Sequence, residues 1–520
     1  MRNSILTLLL SVIVFLAGCT TSKVPVSYNN AISPVSLGLL KAKTGEERYD
    51  ILLKAHQQAN AKGVLVDYRG IGSIDITIPM GANPIPLGQY NDFAGTVFNI
   101  TNKAQNQYLF TWVNRSESID VVAHDIDRGG FSGYDKLRSG TILLAIEDKN
   151  PWVENRKGYA YGHQRKDILL IKNGKAKNKP VMPYDNKQSS PVCKYYVVKN
   201  PSLILSNLTL NRTLGCTDET FLCKIVGADN LCFNHITINT PSSDLVSDRA
   251  FYILDCTNVQ FKDVTINGTY SRKDHSGYGI CMNNIWNYSA TRLKGTGNWG
   301  VFGNNNINVA AITDSEINRF DIHCYGKDVS FKNVKFTKLY NQFSSVFGSI
   351  VFDRCTFDNF IPVLYEPSYD VQNAHEIGFR NCTFYATPKR NFLVALNAIS
   401  TERKGRPELY EKCWPKITVE NLKVIVPDDM TEMVLFYTTK RKDGNNSPDC
   451  ISDISINGMV FIYEEGASPV DMSLSNIEVQ SSSPINLKIK RLNLVPKDNS
   501  KAEGGRLFIH IQEKESSNRL

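Results

Sequence analysis

The chain has 520 residues, 42% of them hydrophobic, with 59 Lys and Arg against 51 Asp and Glu and a formal net charge of +8. That length exceeds what one compact core organises, so several domains or a repeat architecture are expected. The twelve cysteines include no CxxC pair and no metal-like spacing, which excludes a zinc module. The mild basic excess favours a polyanion over a neutral partner.

In chain order, Arg2 supplies a positive start, Ile5 to Leu16 form a nearly uninterrupted apolar run, and Leu16-Ala-Gly-Cys19 follows. A run this short, closing on small residues, is the apolar region of a secretory signal rather than a spanning helix. The Leu-Ala-Gly-Cys ending resembles the bacterial lipobox. That resemblance implies a signal peptide over 1–18, a lipid anchor on Cys19 and a tether over 19–44. Thr20 is not an aspartate, so the inner-membrane retention signal is missing and an outer-membrane lipoprotein is expected. No later segment is long and apolar enough to cross a bilayer.

Residues 45–200 read as an N-terminal cap followed by early, irregular coils. Glu46 to Lys62 carries an amphipathic pattern through Leu52, Leu53, Ala55 and Ala59, and Gly63 ends it. Val64-Leu-Val-Asp-Tyr then reads as a strand. Further strands are expected at Ile74-Asp-Ile-Thr-Ile and Ile168-Leu-Leu-Ile.

From 201 to 512 one pattern recurs: apolar, two polar or bending residues, apolar, any residue, apolar. It appears as Leu205-Ser-Asn-Leu-Thr-Leu, Phe233-Asn-His-Ile-Thr-Ile, Phe261-Lys-Asp-Val-Thr-Ile and Phe331-Lys-Asn-Val-Lys-Phe. It continues through copies starting at Ile312, Phe352, Phe379, Val419, Ile456, Leu474 and Ile489, with a degenerate one at Ala290. In the centre, copies start about 19 to 29 residues apart, the length of one solenoid coil. A plain strand repeats every second residue, whereas here the first two apolar positions are three apart. The chain must bend between them to aim both inward. Asn207, Asn333, Asn381, Asn421, Asn476 and Gly458 occupy the bend, and Asn and Gly tolerate the left-handed conformation it needs. The polar tail over 513–520 is expected to fray. Most of the eleven cysteines after Cys19 fall on apolar repeat positions and read as small core residues, with structural bridges the lesser alternative.

This repeat, with its asparagine-bearing turn and helix-then-strand opening, resembles the pectate-lyase-like superfamily. The resemblance implies an all-β fold, a right-handed parallel β-helix with an N-terminal helical cap. It also implies a polysaccharide cleft on the face made by each coil's first strand. Those strands read Tyr278-Gly-Ile-Cys-Met, Trp299-Gly-Val-Phe-Gly, Phe320-Asp-Ile-His-Cys and Ser345-Val-Phe-Gly-Ser. Aligned on their first residues, they put Ile280, Val301 and Ile322 inside. Gly279, Gly300, Cys281, Phe302, Asp321 and His323 then point outward. On that reading the glycines leave an open floor beside Asp321, and Phe302 either stacks on a sugar or merely covers the sheet. Arg272, Lys273, Asp274 and His275 precede the first of these strands, and Arg319 and Tyr325 flank the third.

Cleavage of a uronic-acid polymer by β-elimination needs a cation to neutralise the carboxylate, a base for the neighbouring carbon, and an acid for the leaving oxygen. Arg319 or Arg272 suits the first role, His323 or Lys273 the second, and His275 or Tyr325 the third. A hydrolase instead needs two carboxylates, for which Asp274 and Asp321 are the candidates, while a non-catalytic glycan-binding surface protein needs neither. The aspartate set that binds calcium in classical pectate lyases is absent, so no cofactor is expected. An acidic polysaccharide and, through the lipid, a membrane are the expected partners; a nucleic acid is not. Arg403, Lys404 and Arg406, then Lys440 and Arg441, lie in two long insertions and read as a basic wall for remote sugars, or as solvated loops. A further cluster runs from Tyr161 to Asp167 and includes His163.

Overall fold

The three-residue gap in the repeat is a corner. In the computed structural model Asn207, Asn333, Asn381 and Asn421 have φ between 52° and 56°, and Gly458 has φ 94°. His235, Asp263, Arg292, Asp314 and Arg354 occupy the same place in other copies, with φ between 49° and 54°. Side chains stacked along this corner bond from coil to coil. Asn207 Nδ2 donates to Asp92 Oδ1 (2.9 Å), Asn333 Nδ2 to Asp314 Oδ1 (2.8 Å) and Asn421 Nδ2 to Asn381 Oδ1 (3.1 Å). Arg292 binds Asp263 through Nε (2.5 Å) and Nη2 (2.8 Å).

The structure describes residues 28, 30–102, 108–153, 163–185, 189–199, 202–212, 221–240, 249–268, 277–295, 299–338, 340–344, 346–358, 361–366, 375–387, 393–396, 415–427, 432–439, 452–463, 477–480, 485–495 and 508–514. Asn476 and Cys19 lie outside them.

Corners repeated in register close a right-handed parallel β-helix. The first residues of the copies pair in one column: Leu205 with Phe233, Phe233 with Phe261, Phe261 with Ala290, then Ile312, Phe331, Phe352, Phe379, Val419, Ile456 and Ile489. Ile456 pairs directly with Ile489, and Ile477–Gln480 pairs with Phe508–Lys514; the expected copy start at Leu474 lies outside the described residues. Inside, the aromatic members stack face to face. Phe331 and Phe352 have centroids 4.9 Å apart at 7°, and Phe352 and Phe379 5.2 Å apart at 12°.

One α-helix caps the N-terminal end, over Gly45–Lys62. Thr44 and Glu47 form a reciprocal capping box, and Gly63 ends the helix at φ 65°. Its buried face presents Tyr49, Leu52, Ala55, His56 and Ala59 to the first coils. His56 Nε2 lies 2.6 Å from the Tyr68 hydroxyl and Nδ1 lies 3.0 Å from the Pro86 carbonyl.

Residues 70–200 differ from the expected run of early coils. Coils occupy Ser73–Ile78, Tyr90–Asn102 and Tyr108–Val113, and the latter two pair directly with Leu203–Arg212 and Phe221–Val226. Between them sits a five-stranded sheet with antiparallel pairing, built from Ser116–Ile119, Pro191–Val197, Thr141–Val153, His163–Lys172 and Lys175–Ala176. The run Ile168-Leu-Leu-Ile looks like a buried solenoid strand because both faces of this sheet are covered. Leu169 and Ile171 pack with Ile142, Leu144 and Tyr184 on one side. Ile168 and Leu170 pack with Leu143, Ala145 and Tyr196 on the other, against Val226 and Trp286 of the coils.

Phe352→Ala removes a ring stacked on both neighbours and is expected to cost about 3–5 kcal/mol in a denaturant titration. His56 supplies a pH test. Burial pushes its imidazole down to about 4, partly opposed by the Pro86 bond. Its folded pKa lies below the unfolded value of about 6.5, so the unfolded chain takes up the proton first. Stability is therefore complete above about pH 6.5 and is lost as pH falls toward 4. Urea stability at pH 5 and pH 7 is expected to differ less in His56→Gln than in the wild type.

Candidate functional site

Strand register decides which residues of the first-strand face look outward. Tyr278 pairs with Gly300, Ile280 with Phe302, and Phe302 with Phe320. The strands thus align one and two residues away from the expected register, and a one-residue slip exchanges the two faces. Phe302 is consequently a core residue, fully buried, with its ring 5.5 Å from Phe320 and 6.0 Å from Tyr288. It is no sugar platform. The outward column runs Tyr252, Cys281, Gly303, Asp321, Gln342, Leu364 and Ala395.

Nor is there an open floor beside Asp321. A Cβ on Gly303 would sit 2.6 Å from the Tyr278 ring, and one on Gly300 would sit 3.1 Å from it. The glycines make room for that ring. Beneath it Asp321 is fully buried. Tyr278 donates to Asp321 Oδ2 (2.6 Å) while accepting from Trp299 Nε1 (2.8 Å). Arg319 Nε donates to Asp321 Oδ1 (2.7 Å), as does the Gln342 backbone N–H (3.1 Å). The Arg319 guanidinium, also fully buried, lies 4.2 Å from the Trp299 ring and 3.9 Å from the Tyr340 ring. Burial, then Asp321, holds the Tyr278 phenol well above its usual range. Asp321 and Arg319 therefore neutralise one another, and the cation expected for a substrate carboxylate is committed to an internal partner.

His323 does stand on this face. Pairing steps from Asn304–Ile322 to Asn305–Cys324, leaving His323 as the extra residue of a bulge, a device that re-aims a side chain. It is half-buried, with its ring 5.4 Å from Tyr278 at a T-shaped angle. Lys338, which sequence reasoning passed over, is half-buried close by. Burial and then the Arg319 charge push its ammonium pKa down. Only spacing to Tyr340 on the next strand could have signalled it. Tyr325 turns away: at φ 52° it is buried with Cys324 and Phe347 under Val181 and Met182 of the inserted segment. Arg272, Lys273, Asp274, His275, Arg403, Lys404, Arg406, Lys440 and Arg441 lie outside the described residues, as does most of the cluster before Gln164.

The inserted sheet stands along the corner next to this face. Tyr196 donates to Asp255 Oδ2 (2.5 Å), the Lys194 ammonium lies 2.9 Å from the same oxygen, and Lys166 N–H donates to Asn306 Oδ1 (3.0 Å). Asp255, Asn306 and Tyr325 are the corner residues it covers, with φ between 50° and 52°. A second concavity of about 590 Å³ lies past the other corner, crossed by the register Thr265, Lys294, Glu316, Lys335 and Thr356. Among the described residues no aromatic side chain lines it, and ion pairs such as Arg292–Asp263 and Lys335–Glu316 engage its charges.

No protein-family model matches the chain, and none of the curated proteins matches it in sequence. Solved structures do share the fold. The tailspike protein gp49 of Pseudomonas phage LKA1 is similar over 92% of this chain and 80% of its own, at 12% identity and a TM-score of 0.51. The gp54 tailspike of Acinetobacter baumannii bacteriophage AP22, solved in complex with A. baumannii capsular saccharide, is similar over 91% and 76%, at 11% identity and a TM-score of 0.52. At these identities the likeness establishes the β-helix architecture.

Breaking the buried pair should show in stability. Asp321→Ala leaves Arg319 charged and unpaired and is expected to cost about 3–5 kcal/mol. His323→Ala, at a half-exposed bulge, is expected to cost under about 1 kcal/mol. Denaturant titrations of the two variants check the contrast.

Proposed function

We propose that this chain is a polysaccharide-acting β-helix protein that cleaves an acidic, uronic-acid-containing polymer by β-elimination on the outer face of its first strands. The observation that carries the reading is the cluster there: two aromatic rings, Trp299 and Tyr340, set around a buried cation, with His323 and Lys338 beside them. Aromatic faces suit sugar rings. Imidazole is a common general base, and burial beside Arg319 makes the Lys338 ammonium a readier proton donor than an exposed lysine. The inserted sheet gives the face a wall, and the AP22 tailspike holds a capsular saccharide on the same architecture.

In this scheme His323 takes the proton from the carbon next to the carboxylate, and Lys338 serves proton transfer at the leaving oxygen. Arg319 acts through the rings it positions. Neutralising the carboxylate then falls to the segment entering Tyr278, which carries Arg272, Lys273 and His275. Inverting hydrolysis is the weaker reading, because both Asp321 oxygens are engaged by Arg319, Tyr278 and Gln342. The Leu16 to Cys19 sequence supports a lipid anchor in the outer membrane, on its cell-surface or its periplasmic side.

Elimination leaves an unsaturated uronide, which absorbs in the ultraviolet. Acidic polysaccharides incubated with the full chain are expected to gain that absorbance, and His323→Ala to lose at least about a hundredfold of the rate. New reducing ends without absorbance would mean hydrolysis, and neither signal would mean binding alone.

A further inference from the structure

Eight cysteines lie among the described residues, none of them in a disulfide in this structure. Two occupy the same repeat position in consecutive coils. Cys355 follows the corner residue Arg354 and Cys382 follows the corner residue Asn381, at φ 53° and 52°. Register is fixed on both sides of them. Phe352 pairs with Phe379 and Asp353 with Arg380 before the corner, and Thr356 with Thr383 and Phe357 with Phe384 after it. Across the corner, Arg354 N–H donates to the Arg380 carbonyl (2.8 Å) and Thr383 N–H to the Cys355 carbonyl (2.9 Å). Hydrogen-bonded strands stand about 4.8 Å apart, inside the roughly 4.4–6.8 Å range of Cα separations that a disulfide spans.

The side chains are aimed alike. Cys382 Sγ leans back onto the coil of Cys355, 3.5 Å from the Phe352 carbonyl, and Cys355 Sγ leans onto the coil before that, 3.6 Å from the Phe331 carbonyl. The Cys382 sulfur therefore sits on the Cys355 side of its own strand. Among the other described cysteines, strand partners are residues such as Phe251 for Cys223, Gln260 for Cys232, Ile285 for Cys256 and Asn305 for Cys324, never a second cysteine.

We propose that Cys355 and Cys382 are a disulfide-forming pair whose bond staples two neighbouring coils of the β-helix. The oxidant is a disulfide, either of a small thiol or of a dithiol–disulfide oxidoreductase. The Cys382 thiolate attacks one of its sulfurs, forming a mixed disulfide and releasing a thiolate. Cys355, giving up its proton, attacks Cys382 Sγ, which forms the intrachain bond and releases the second thiolate. Two electrons pass to the oxidant, and the two protons of the cysteines end on its reduced thiols. Both sulfurs are buried in the finished coil, so the bond closes while the coils are still assembling. It joins the coil of Phe352 to that of Phe379, the last one before the coil spacing lengthens toward Val419.

The full chain, reduced and unfolded, is refolded in a buffer of reduced and oxidised glutathione, alkylated under denaturing conditions, and digested with trypsin. Cleavage after Arg354 and Arg380 separates the two cysteines onto different peptides. In more than half of the molecules these peptides are expected to run as one species that reductant splits. The oxidised protein is expected to melt several degrees lower in reductant, whereas Cys382→Ser shows no such shift. Recovery of both cysteines as separate alkylated peptides in most molecules would overturn the proposal, as would a bond from either one to a different cysteine. Should Cys382→Ser fail to fold, Cys355→Ala replaces it in the melting comparison, and the wild-type peptide map stands without either.

Discussion

Everything in this molecule hangs on a backbone corner in the left-handed region, repeated once per coil. An L-residue there costs about 1–2 kcal/mol, and residues as unlike as Asn207, His235, Asp263 and Arg354 all accept it. Hydrogen bonds running along the stack, with coil-to-coil backbone pairing, offset that cost. An asparagine bonding the corner residue one coil away, as Asn333 does to Asp314 and Asn421 to Asn381, converts a local strain into a shared one. With the corner held, two apolar positions three residues apart both face inward, and the rings of Phe331, Phe352 and Phe379 can stack.

The same constraint sets the terms of the first-strand face. Once corners fix where each strand begins, side chains of the first-strand sheet have no freedom to exchange sides. The polar residues brought together there must satisfy one another. Arg319, Asp321, Tyr278 and Gln342 do so in a buried network, apart from Arg319 Nη1, which has no hydrogen-bond acceptor among the described residues. Desolvation makes such a pair a poor source of net stability, while removal of one member leaves a costly charge behind. Its value lies in geometry: it fixes Trp299 and Tyr340 around one cation and holds the Tyr278 ring that His323 packs against.

How legible this was depends on how local each signal is. The corner pattern is visible within six residues, and the capping helix within twenty, so the fold and the column of copy-starting residues could be read directly. Register between strands is not local. Tyr278, Trp299 and Phe320 look equivalent as strand-opening residues, yet pairing places Tyr278 opposite Gly300 and Phe302 opposite Phe320. That slip sent Phe302 to the core, and the Tyr278 ring closed what glycines had suggested was a floor. Arg319 and Asp321 were found as neighbours, but their burial came from residues of other coils. The antiparallel sheet escaped because Ile168-Leu-Leu-Ile is equally apolar whether it lines a solenoid or is sandwiched between a small core and a coil. Lys338 carries no motif at all.

The insertion also divides the molecule in time. Most coils meet a partner one turn further along the chain, so each new turn can condense on the last. The exception is the seam where Tyr90–Asn102 and Tyr108–Val113 await Leu203–Arg212 and Phe221–Val226, with contacts such as Thr111 to Lys224 that span 113 residues. Closing a loop of that length carries a larger entropic toll than any other step in the stack, and non-local pairing slows assembly. A chain emerging from its N-terminus would hold the first coils with an unpaired edge until the whole antiparallel sheet had been made. The sheet that stands beside the first-strand face is thus also what the earliest coils must wait for before growth of the solenoid can resume.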